Sequence, residues 1–330
     1  MRKRRTILEK KKITCIIPCY NEEESLNLCY QALVAEAAKL PRYEFTFLFI
    51  NDGSSDGTLA GIKRLTSKDE RVQYVSLSRN FGKEPAMLAG FDYADGDAAI
   101  VLDADLQDPP SLFPQLIAEW EQGYEDVYAQ RRSRAGETWL KRTTSKLYYR
   151  IIARLSDVPV QVDTGDFRLL DRKCILALRR LREHQRYTKG LFSWLGFKKK
   201  AVLYDRAPRV AGETHWNYWK LMKLAINGIT SFSTIPLQVS SWLGALISCG
   251  AFCYMAFIIG KTLLLGDDVP GYPSLIAVLL FVSGIQLMIL GILGGYLGRV
   301  FIEAKGRPVY LVGEVKAGRD GWNDNRSNGV

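Results

Sequence analysis

The stretch Ala98-Ala-Ile-Val-Leu-Asp-Ala-Asp105 joins an apolar run to two carboxylates, Asp103 and Asp105. The run predicts a buried strand, and both acids fall at or just past its carboxyl end. Where a strand turns into a loop, residues i and i+2 can reach one ion. Carboxylate oxygens so placed suit Mg²⁺ or Mn²⁺, which commonly keep phosphate oxygens as further ligands. Isolated pairs of this spacing are more often solvated turn or cap acids, so the surrounding sequence decides between the two interpretations.

Apolar runs on both sides of this stretch predict further strands, and helical patterns lie between them. The predicted strands cover 13–18, 44–50, 72–77, 98–102, 126–130 and 167–170, and the helices cover 23–39, 58–67 and 84–94. The alternation of strand and helix predicts an α/β fold with a doubly wound, mostly parallel sheet. Such sheets bind their ligands at the carboxyl ends of the strands.

Polar segments follow the first four predicted strands, at the rim where this topology brings them together. They are Pro18-Cys-Tyr-Asn-Glu-Glu23, Asn51-Asp-Gly-Ser-Ser-Asp-Gly-Thr58, Ser78-Arg-Asn-Phe-Gly-Lys83 and Asp103-Ala104-Asp105. Each alone is also typical of turns and helix caps, and we expect Ser55 or Asp56 to cap the following helix. Together on one rim they predict a ligand site.

The composition bounds the classes of partner. The chain has 330 residues, enough for about two domains, and a net charge of +10. Such a charge attracts nucleic acid, anionic membranes and phosphorylated substrates alike. No basic block has the spacing of a nucleic-acid-binding motif, so we expect no nucleic-acid partner. The six cysteines form no C-x-x-C pair and are expected to be reduced, structural thiols.

Two uncharged apolar segments, 237–259 and 273–297, predict transmembrane helices, because each can cross about 30 Å of hydrocarbon. A pair of buried core helices is the alternative. Basic residues flank the pair and the loop between them is acidic in balance, which places both termini in the cytoplasm. Overlapping G-x-x-x-G spacings within Gly291–Gly298 predict close packing against the first segment or another subunit.

Two further segments have the pattern of helices that lie along a membrane surface. Residues 140–155 have an apolar side and a basic side, and residues 216–224 mix tryptophan with lysine. Basic amphipathic helices with aromatic residues dock on lipid headgroups. The first segment also fits an ordinary helix that faces a protein core. The tail after Gly313 is polar and rich in Gly and Asn, which predicts disorder.

Taken together, the four rim segments resemble the family 2 glycosyltransferases of the GT-A fold. The subgroup that fits best is the polyprenyl-phosphate glycosyltransferases, which include bactoprenol glucosyltransferases and dolichol-phosphate mannose synthases. The likeness continues through Asp103-Ala-Asp-Leu-Gln-Asp-Pro-Pro110 and Thr164-Gly-Asp-Phe-Arg-Leu-Leu-Asp171 to the two apolar segments. It therefore covers nearly the whole chain.

The resemblance implies a nucleotide-sugar donor bound along the rim. The donor-binding residues would be Pro18, Tyr20, Asn21, Glu22, Asp52, Lys83, Asp103 and Ala104. Pro18, Tyr20 and Glu22 would wall the base pocket, and Asp52 would accept a hydrogen bond from the uracil or the ribose. Lys83 would support the base pocket or the donor phosphates.

The same resemblance implies a divalent metal, Mg²⁺ or Mn²⁺, that bridges the donor diphosphate. Asp105 would bind it, and Asp103 would lie toward the metal or the ribose. The ion would offset the charge that develops on the departing nucleoside diphosphate. Gln107 would lie near the donor sugar and, with Asp105 and Asp166, belong to the catalytic set.

The resemblance also makes Asp166 the candidate for a carboxylate that faces the acceptor during inverting, in-line transfer, and Asp163 is a weaker candidate. A lipid phosphate is largely deprotonated at neutral pH, because the second pKa of a phosphomonoester is near 6. Asp166 would therefore act as a base, orient the acceptor or stabilise positive charge on the sugar. A structural turn acid is the alternative.

Arginines are the expected contacts of the acceptor phosphate, because guanidinium forks match phosphate oxygens. Arg131, Arg132 and Arg209 are the candidates, and a solvated basic surface is the alternative for each of them. His215 has no partner at metal-ligand spacing and is assigned no metal.

The resemblance thus predicts an inverting, metal-dependent transfer of a hexose, glucose from UDP-glucose, to undecaprenyl phosphate, which supplies a lipid-linked sugar for cell-surface glycans. Mannose, N-acetylglucosamine or an aminosugar are alternatives. A non-catalytic membrane scaffold or flippase partner is an alternative of another class. A processive synthase is disfavoured because Gln185-Arg-Tyr-Thr-Lys189 departs from the Q-x-x-R-W motif of those enzymes.

The predicted organisation has four parts. A cytoplasmic GT-A domain covers 1–212, an amphipathic juxtamembrane segment covers 213–235, two transmembrane helices lie within 236–298, and a partly disordered cytoplasmic tail covers 299–330. The expected partners are the nucleotide sugar, the polyprenyl phosphate, membrane lipids and other copies of the chain in a homo-oligomer. The expected location is the cytoplasmic membrane, as a multi-pass protein.

Overall fold

A computed structural model describes residues 10–132, 164–184, 186–204, 235–265 and 271–317. These residues fall into two compact units. One unit holds a sheet with its helices and includes residues 308–317, and the other holds two long helices.

Within the described ranges the sheet has eight strands. They are β1 Lys11–Cys19, β2 Tyr43–Asn51, β3 Val72–Leu77, β4 Ala98–Val101, β5 Asp126–Arg131, β6 Thr164–Asp171, β7 Lys199–Tyr204 and β8 Val312–Lys316. Their order across the sheet is β7-β5-β6-β4-β1-β2-β3-β8. The strands β4, β1, β2 and β3 are parallel neighbours, as are β5 and β7, whereas β6 and β8 run antiparallel to their neighbours. The predicted α/β fold with a mostly parallel sheet is confirmed.

The described helices alternate with these strands or follow them. They are α1 Glu23–Ala38, α2 Thr58–Lys68, α3 Lys83–Tyr93, α4 Phe113–Glu121, α5 Arg172–Arg180, α6 Thr188–Trp194, α7 Ile235–Leu265 and α8 Tyr272–Ala304. The predicted helices before α4 are confirmed to within one residue at each end.

The centre of the sheet is buried on both faces, as its continuous apolar strands require. Ile13, Ile16 and Ile17 of β1 are fully buried. Helix α3 packs so closely on this strand that a Cβ added to Gly90 would lie 2.2 Å from Cγ2 of Ile16. Since α3 begins at Lys83, this packing fixes the backbone position of Lys83.

Strands β7 and β8 were not predicted, and β6 is longer than the predicted strand. The predicted disorder after Gly313 is wrong for the last residues of β8. This strand pairs with the edge strand β3. Glu314 accepts hydrogen bonds from the hydroxyl of Tyr74 at 2.5 Å and from Nζ of Lys63 at 2.6 Å. The edge strand supplies partners that a short polar segment cannot supply for itself.

Helices α7 and α8 contain the two predicted apolar segments, so the helical prediction is confirmed. Among the described residues, Phe281–Ala304 is the segment that is long and apolar enough to cross a membrane, and Gly244–Tyr254 is a shorter apolar stretch. The crossing of a membrane by both helices stays a prediction.

The glycines of α8 were predicted to pack closely against either the first apolar segment or another subunit. The close contact with the first segment, now α7, is not seen. A Cβ added to Gly291, Gly294, Gly295 or Gly298 would meet no atom within 4 Å in the described part of the chain. Contact of this face with another subunit stays a prediction.

Several predicted features lie outside the described residues. They are the amphipathic segments 140–155 and 216–224, Asp163, Arg209, His215 and the tail 318–330. The predicted free state of the thiols is seen at all six cysteines, of which Cys15, Cys19, Cys29 and Cys174 are buried. Burial raises the pKa of the Cys29 thiol to about 12, as expected for an unreactive structural group.

Candidate active site

The polar segments after β1 and β2 lie side by side, because these parallel strands end in register at Cys19 and Asn51. Asn21 joins them. Its Oδ1 accepts a hydrogen bond from the N–H of Ser55 at 2.9 Å, and its own N–H donates to Oγ of Ser54 at 3.1 Å. Asn21 has a φ of 54°, a left-handed conformation that asparagine tolerates better than most residues. The structure thus shows Asn21 shaping the rim, and its predicted contact with the donor stays a prediction.

Of the two residues next to Asn21, Glu22 bonds to the rim and Tyr20 faces outward. The N–H of Glu22 donates to Oγ1 of Thr58 at 2.8 Å, and its carboxylate accepts from the hydroxyl of Ser25 at 2.5 Å. The ring of Tyr20 is about half exposed, with an exposed fraction of 49%. Tyr20 is therefore available to a planar ligand. Asp56 accepts a hydrogen bond from the N–H of Thr58 at 3.0 Å, but the N-cap of α2 is Gly57, so the predicted capping by Ser55 or Asp56 is wrong.

Asp52 joins the segment after β2 to the segment after β3. Its buried carboxylate accepts hydrogen bonds from the N–H groups of Phe81 at 2.8 Å and Gly82 at 2.9 Å. Burial raises the pKa of Asp52 although these two bonds oppose the shift. Gly53 allows the close approach, since its φ is 64° and a Cβ there would lie 2.3 Å from the backbone of Arg79. Any contact of Asp52 with a uracil or ribose would add to these bonds.

Lys83 is the centre of the site. Its Nζ lies 2.6 Å from Oδ1 of Asp103 and 2.6 Å from Oδ2 of Asp166. Burial would lower the pKa of Lys83, but the charges of the two carboxylates outweigh it and raise the pKa. Burial would likewise raise the pKa of Asp166, but the charges of Lys83 and Lys189 outweigh it and hold the pKa well below its usual range. Lys83 and Asp166 are therefore both charged at neutral pH.

The chain turns sharply just after the second carboxylate of the D-x-D motif. Leu106 has a φ of 57°, and Oδ1 of Asp105 accepts from the N–H of Gln107 at 3.1 Å. Asp103 and Asp105 lie beyond the end of β4 and are partly exposed, whereas Ala104 between them is buried. Both acids therefore lie in a loop after the strand, as expected, and their convergence on one ion stays a prediction.

The donor set at this turn fits a hard divalent ion whose remaining ligands come from a substrate. Among the described residues, no group of three or more His, Cys, Asp or Glu side chains could hold a metal by itself. Asp103 and Asp105 would supply two carboxylates, and the diphosphate oxygens of a nucleotide sugar would complete the coordination. Metal binding at these two residues stays a prediction.

Asp166 is the third residue of β6, because this strand begins at Thr164, three residues before the predicted start at Phe167. It is buried, and its Oδ1 has no hydrogen-bond partner in the described part of the chain. One oxygen thus binds Lys83 while the other is left for a further group. Lys83 thus brings Asp103 and Asp166 together, a contact that the sequence did not predict.

Arg168 is a site residue that the sequence analysis quoted but gave no role. It lies two residues after Asp166 on the same face of β6 and is fully buried. Its Nη1 donates to both oxygens of Asp126 at 3.1 and 3.0 Å, and its guanidinium carbon lies 3.7 Å from the centre of the Phe192 ring. The sequence signal that could have identified it is an arginine within the apolar run Phe167-Arg-Leu-Leu170, because a buried arginine needs a partner. Arg168 anchors the strand beneath Asp166.

Arg131 ends β5 beside the start of β6. Its Nη2 lies 3.9 Å from a Cβ added to Gly165, and its buried Nε has no hydrogen-bond partner among the described residues. Nearby, the hydroxyl of Tyr204 donates to Asp108 at 2.5 Å. The backbone N–H of Arg132 donates to the carbonyl of Tyr204 at 2.9 Å. Of the predicted phosphate contacts, Arg131 lies near Gly165, the residue before Asp166. The role of Arg131 and Arg132 stays a prediction.

Comparison with known proteins bears on the whole of this arrangement. The model of the family "Glycosyl transferase family 2" matches residues 14–178. An uncharacterized glycosyltransferase of Synechocystis is 47% identical over 304 residues, which are 92% of this chain and 95% of the relative. A bactoprenol glucosyl transferase of Shigella phage SfV is 43% identical over 305 residues, which are 92% of this chain and 99% of the relative.

A solved structure gives a weaker likeness. The mannosyl-3-phosphoglycerate synthase of Rubrobacter xylanophilus superposes with a TM-score of 0.46 and 15% sequence identity, over 67% of this chain and 72% of that one.

Proposed function

The chain belongs to glycosyl transferase family 2, and from that premise we propose that it transfers glucose from UDP-glucose to undecaprenyl (bactoprenol) phosphate. Relatives named bactoprenol glucosyl transferases, 42–44% identical over at least 91% of this chain, support the choice of sugar and acceptor. The observation that carries the proposal is the joining of Asp103 and Asp166 by Lys83 at the rim of the sheet. In that arrangement Asp103, which we assign to the donor side, and Asp166, which we assign to the acceptor side, contact the same ammonium group.

The donor would lie along the rim. Pro18, Tyr20 and Glu22 would border the base, and Asp52 would fix the loop that closes on it. Asp103 and Asp105 would hold Mg²⁺ or Mn²⁺, which, when bound, stabilises the negative charge of the leaving diphosphate. Ala104 and Gln107 would then lie beside the donor, with Gln107 toward the sugar.

Lys83 has two roles in this proposal, one without donor and one with donor bound. Without donor it neutralises Asp103 and Asp166, whose carboxylates would otherwise repel each other in a partly buried place. With donor bound, its ammonium would lie close to the diphosphate oxygens. Lysine is well suited to this exchange because its charge sits on a flexible stem.

Asp166 would orient the acceptor and stabilise positive charge on the sugar ring instead of removing a proton. A carboxylate with a lowered pKa is a weak base. The acceptor phosphate is already largely deprotonated at neutral pH. The electrostatic role is therefore the one that the charges at this site favour. Arg131, with Arg132 and Arg209, would hold the acceptor phosphate.

We place the enzyme in the cytoplasmic membrane, with both α7 and α8 crossing the bilayer and the catalytic unit on the cytoplasmic face. The apolar segment Phe281–Ala304 and the polyprenyl acceptor of the named relatives support this placement. The lipid-linked glucose would then be available for glycan modification outside the cell.

The test is transfer by the detergent-purified protein with undecaprenyl phosphate, Mn²⁺ or Mg²⁺, and a panel of radiolabelled nucleotide sugars. We expect label from UDP-glucose to enter the lipid fraction, and EDTA to abolish it. Label from a mannose, N-acetylglucosamine or aminosugar donor instead would replace the sugar and keep the reaction. No lipid label from any donor, with the protein folded, would favour the scaffold alternative.

A further inference from the structure

The segment Arg186–Lys189 has no role in the function proposed above, yet it is tied to the start of α3. The backbone N–H of Thr188 donates to Oε2 of Glu84 at 2.9 Å, and the hydroxyl of Thr188 donates to the same oxygen. Nε of Arg186 donates in turn to Oγ1 of Thr188 at 3.3 Å. We call the contact between Glu84 and Thr188 the latch.

The latch joins the starts of two helices, α3 and α6, and each start carries a lysine whose charge acts on Asp166. Lys83 directly precedes Glu84, and its Nζ lies 2.6 Å from Asp166. Lys189 directly follows Thr188, is only partly exposed, and contributes to the lowered pKa of Asp166. In the part of the chain that the structure describes, Lys189 forms no ion pair of its own.

The charge balance of the site leaves room for such a cation. Lys83 is shared by the carboxylates of Asp103 and Asp166. A phosphate group that approaches Asp166 would be repelled by its carboxylate. A second lysine near Asp166 would offset the repulsion at the place where the donor and acceptor phosphates have to meet.

We propose that Lys189 is a further phosphate-binding residue of this site, and that Glu84 is a positioning residue that holds Lys189 there through Thr188. The ligand is a phosphate oxygen of the donor diphosphate or of the lipid acceptor. The identity of these two substrates rests on the proposed function.

The first experiment compares Lys189→Met with Lys198→Met, which removes an exposed lysine of the same unit. Because a charged hydrogen bond is lost, we expect Lys189→Met to raise the KM of one substrate about tenfold or more. A rise for UDP-glucose places the lysine on the donor diphosphate, and a rise for undecaprenyl phosphate places it on the acceptor. Equal KM values, within about twofold, for both substrates in the two variants would overturn the proposal.

The second experiment tests the latch by a double-mutant cycle. Glu84→Ala should raise the same KM as Lys189→Met, and the double variant should be no worse than the poorer single variant, because both changes remove one arrangement. Glu84→Gln should stay close to the wild type, since an amide oxygen still accepts both bonds from Thr188. Additive effects of Glu84→Ala and Lys189→Met would show that Glu84 does not act through Lys189.

A binding measurement separates this inference from the proposed function. Calorimetric binding of UDP with Mn²⁺, and binding of undecaprenyl phosphate in lipid nanodiscs, need no turnover. If the wild type transfers no glucose, the proposed function fails, and a weaker binding of either molecule by Lys189→Met still supports the lysine as a phosphate ligand. Unchanged binding of both molecules would overturn it.

Discussion

At the scale of single residues, the site depends on one lysine between two carboxylates. The pKa of Asp166 is lowered to about 2 and that of Lys83 is raised. The depressed pKa of Asp166 means that its ion pair stabilises the fold above the ordinary pKa near 4 and loses this contribution as the pH falls through about 2. The raised pKa of Lys83 means that its contribution is complete below about pH 10.4 and is lost only at higher pH.

We therefore predict that Lys83→Met lowers the free energy of unfolding by about 1–3 kcal/mol, less than for a fully buried pair because Lys83 is partly exposed. The difference from the wild type should be constant between about pH 5 and 9 and shrink in acid. Chemical unfolding at several pH values measures it. Lys198→Met is the matched control and should cost little at any pH. A difference that grew as the pH fell from 7 to 4 would contradict the assignment of charges.

The residues of the rim could be selected from the sequence, but their bonding could not. The strand ends fixed which side chains meet at the rim, and Asp103, Asp166 and Lys83 do meet there. That Lys83 would bridge the other two depends on the packing of α3 against β1, which no local pattern contains. The same holds for Asp52, whose oxygens bind backbone groups of residues about thirty positions away.

At the scale of elements, α3 links the site to the rest of its unit. Its first residues are Lys83 and Glu84, and near its end the buried Asp92 accepts two bonds from Arg182 and one from the hydroxyl of Tyr310. Tyr310 belongs to the stretch that leads from α8 into β8. The end of this helix is therefore held by residues more than 80 positions away in the chain.

We predict that Asp92→Asn destabilises the protein by about 3 kcal/mol, because it leaves the Arg182 guanidinium without its buried counter-ion. Tyr310→Phe should cost about 1 kcal/mol, the value of one hydrogen bond. Urea unfolding followed by fluorescence gives both numbers. As a control, Glu314→Gln keeps an acceptor for the hydroxyl of Tyr74 and loses only an exposed ion pair with Lys63, so it should cost much less than Asp92→Asn. A cost for Asp92→Asn no greater than for Glu314→Gln would show that this network does not hold α3.

The packing of α3 gives a further prediction. Gly90→Ala would place a methyl group 2.2 Å from Cγ2 of Ile16, so we expect a loss of about 1–3 kcal/mol from overpacking. Ile16→Ala removes the obstructing methyl group. The double variant should therefore lose less stability than the sum of the single variants, as thermal unfolding would show. Simple additivity would mean that the two residues do not press on each other.

The elements that sequence patterns predicted are those with a local signal. Strands β1 to β4 are short apolar runs that the parallel sheet buries on both faces, so composition alone marks them. Strand β7 begins with two lysines, and β8 is the polar run Val-Gly-Glu-Val-Lys316. Both lie at the edges of the sheet, where half of each strand faces solvent and apolar periodicity is weak.

At the scale of the whole molecule, the proposed function requires a membrane protein with its catalytic unit in the cytoplasm. The native cysteines make this testable. Cys15, Cys19, Cys29 and Cys174 are buried, and Cys249 and Cys253 lie on α7, which we place in the bilayer. None should react with a membrane-impermeant maleimide in intact cells.

We predict that Asp267→Cys, in the loop between α7 and α8, is labelled from outside intact cells, because two crossings put this loop there. Lys305→Cys, just after α8, should be labelled only after the membrane is opened. Labelling of Lys305→Cys in intact cells, with Asp267→Cys protected, would invert the topology. Labelling of both only after opening would show that α7 and α8 do not both cross.

The central claim is that the cluster of Lys83, Asp103 and Asp166 is the transfer site. Its most direct test measures two properties of Asp166→Asn, the rate of glucose transfer and the affinity for UDP with Mn²⁺. We predict that glucose transfer to undecaprenyl phosphate falls about a hundredfold or more, as for loss of a group that stabilises transition-state charge. UDP affinity should stay within about threefold of the wild type, because the asparagine keeps the shape of the site. Transfer by Asp166→Asn at a rate close to that of the wild type would contradict the account.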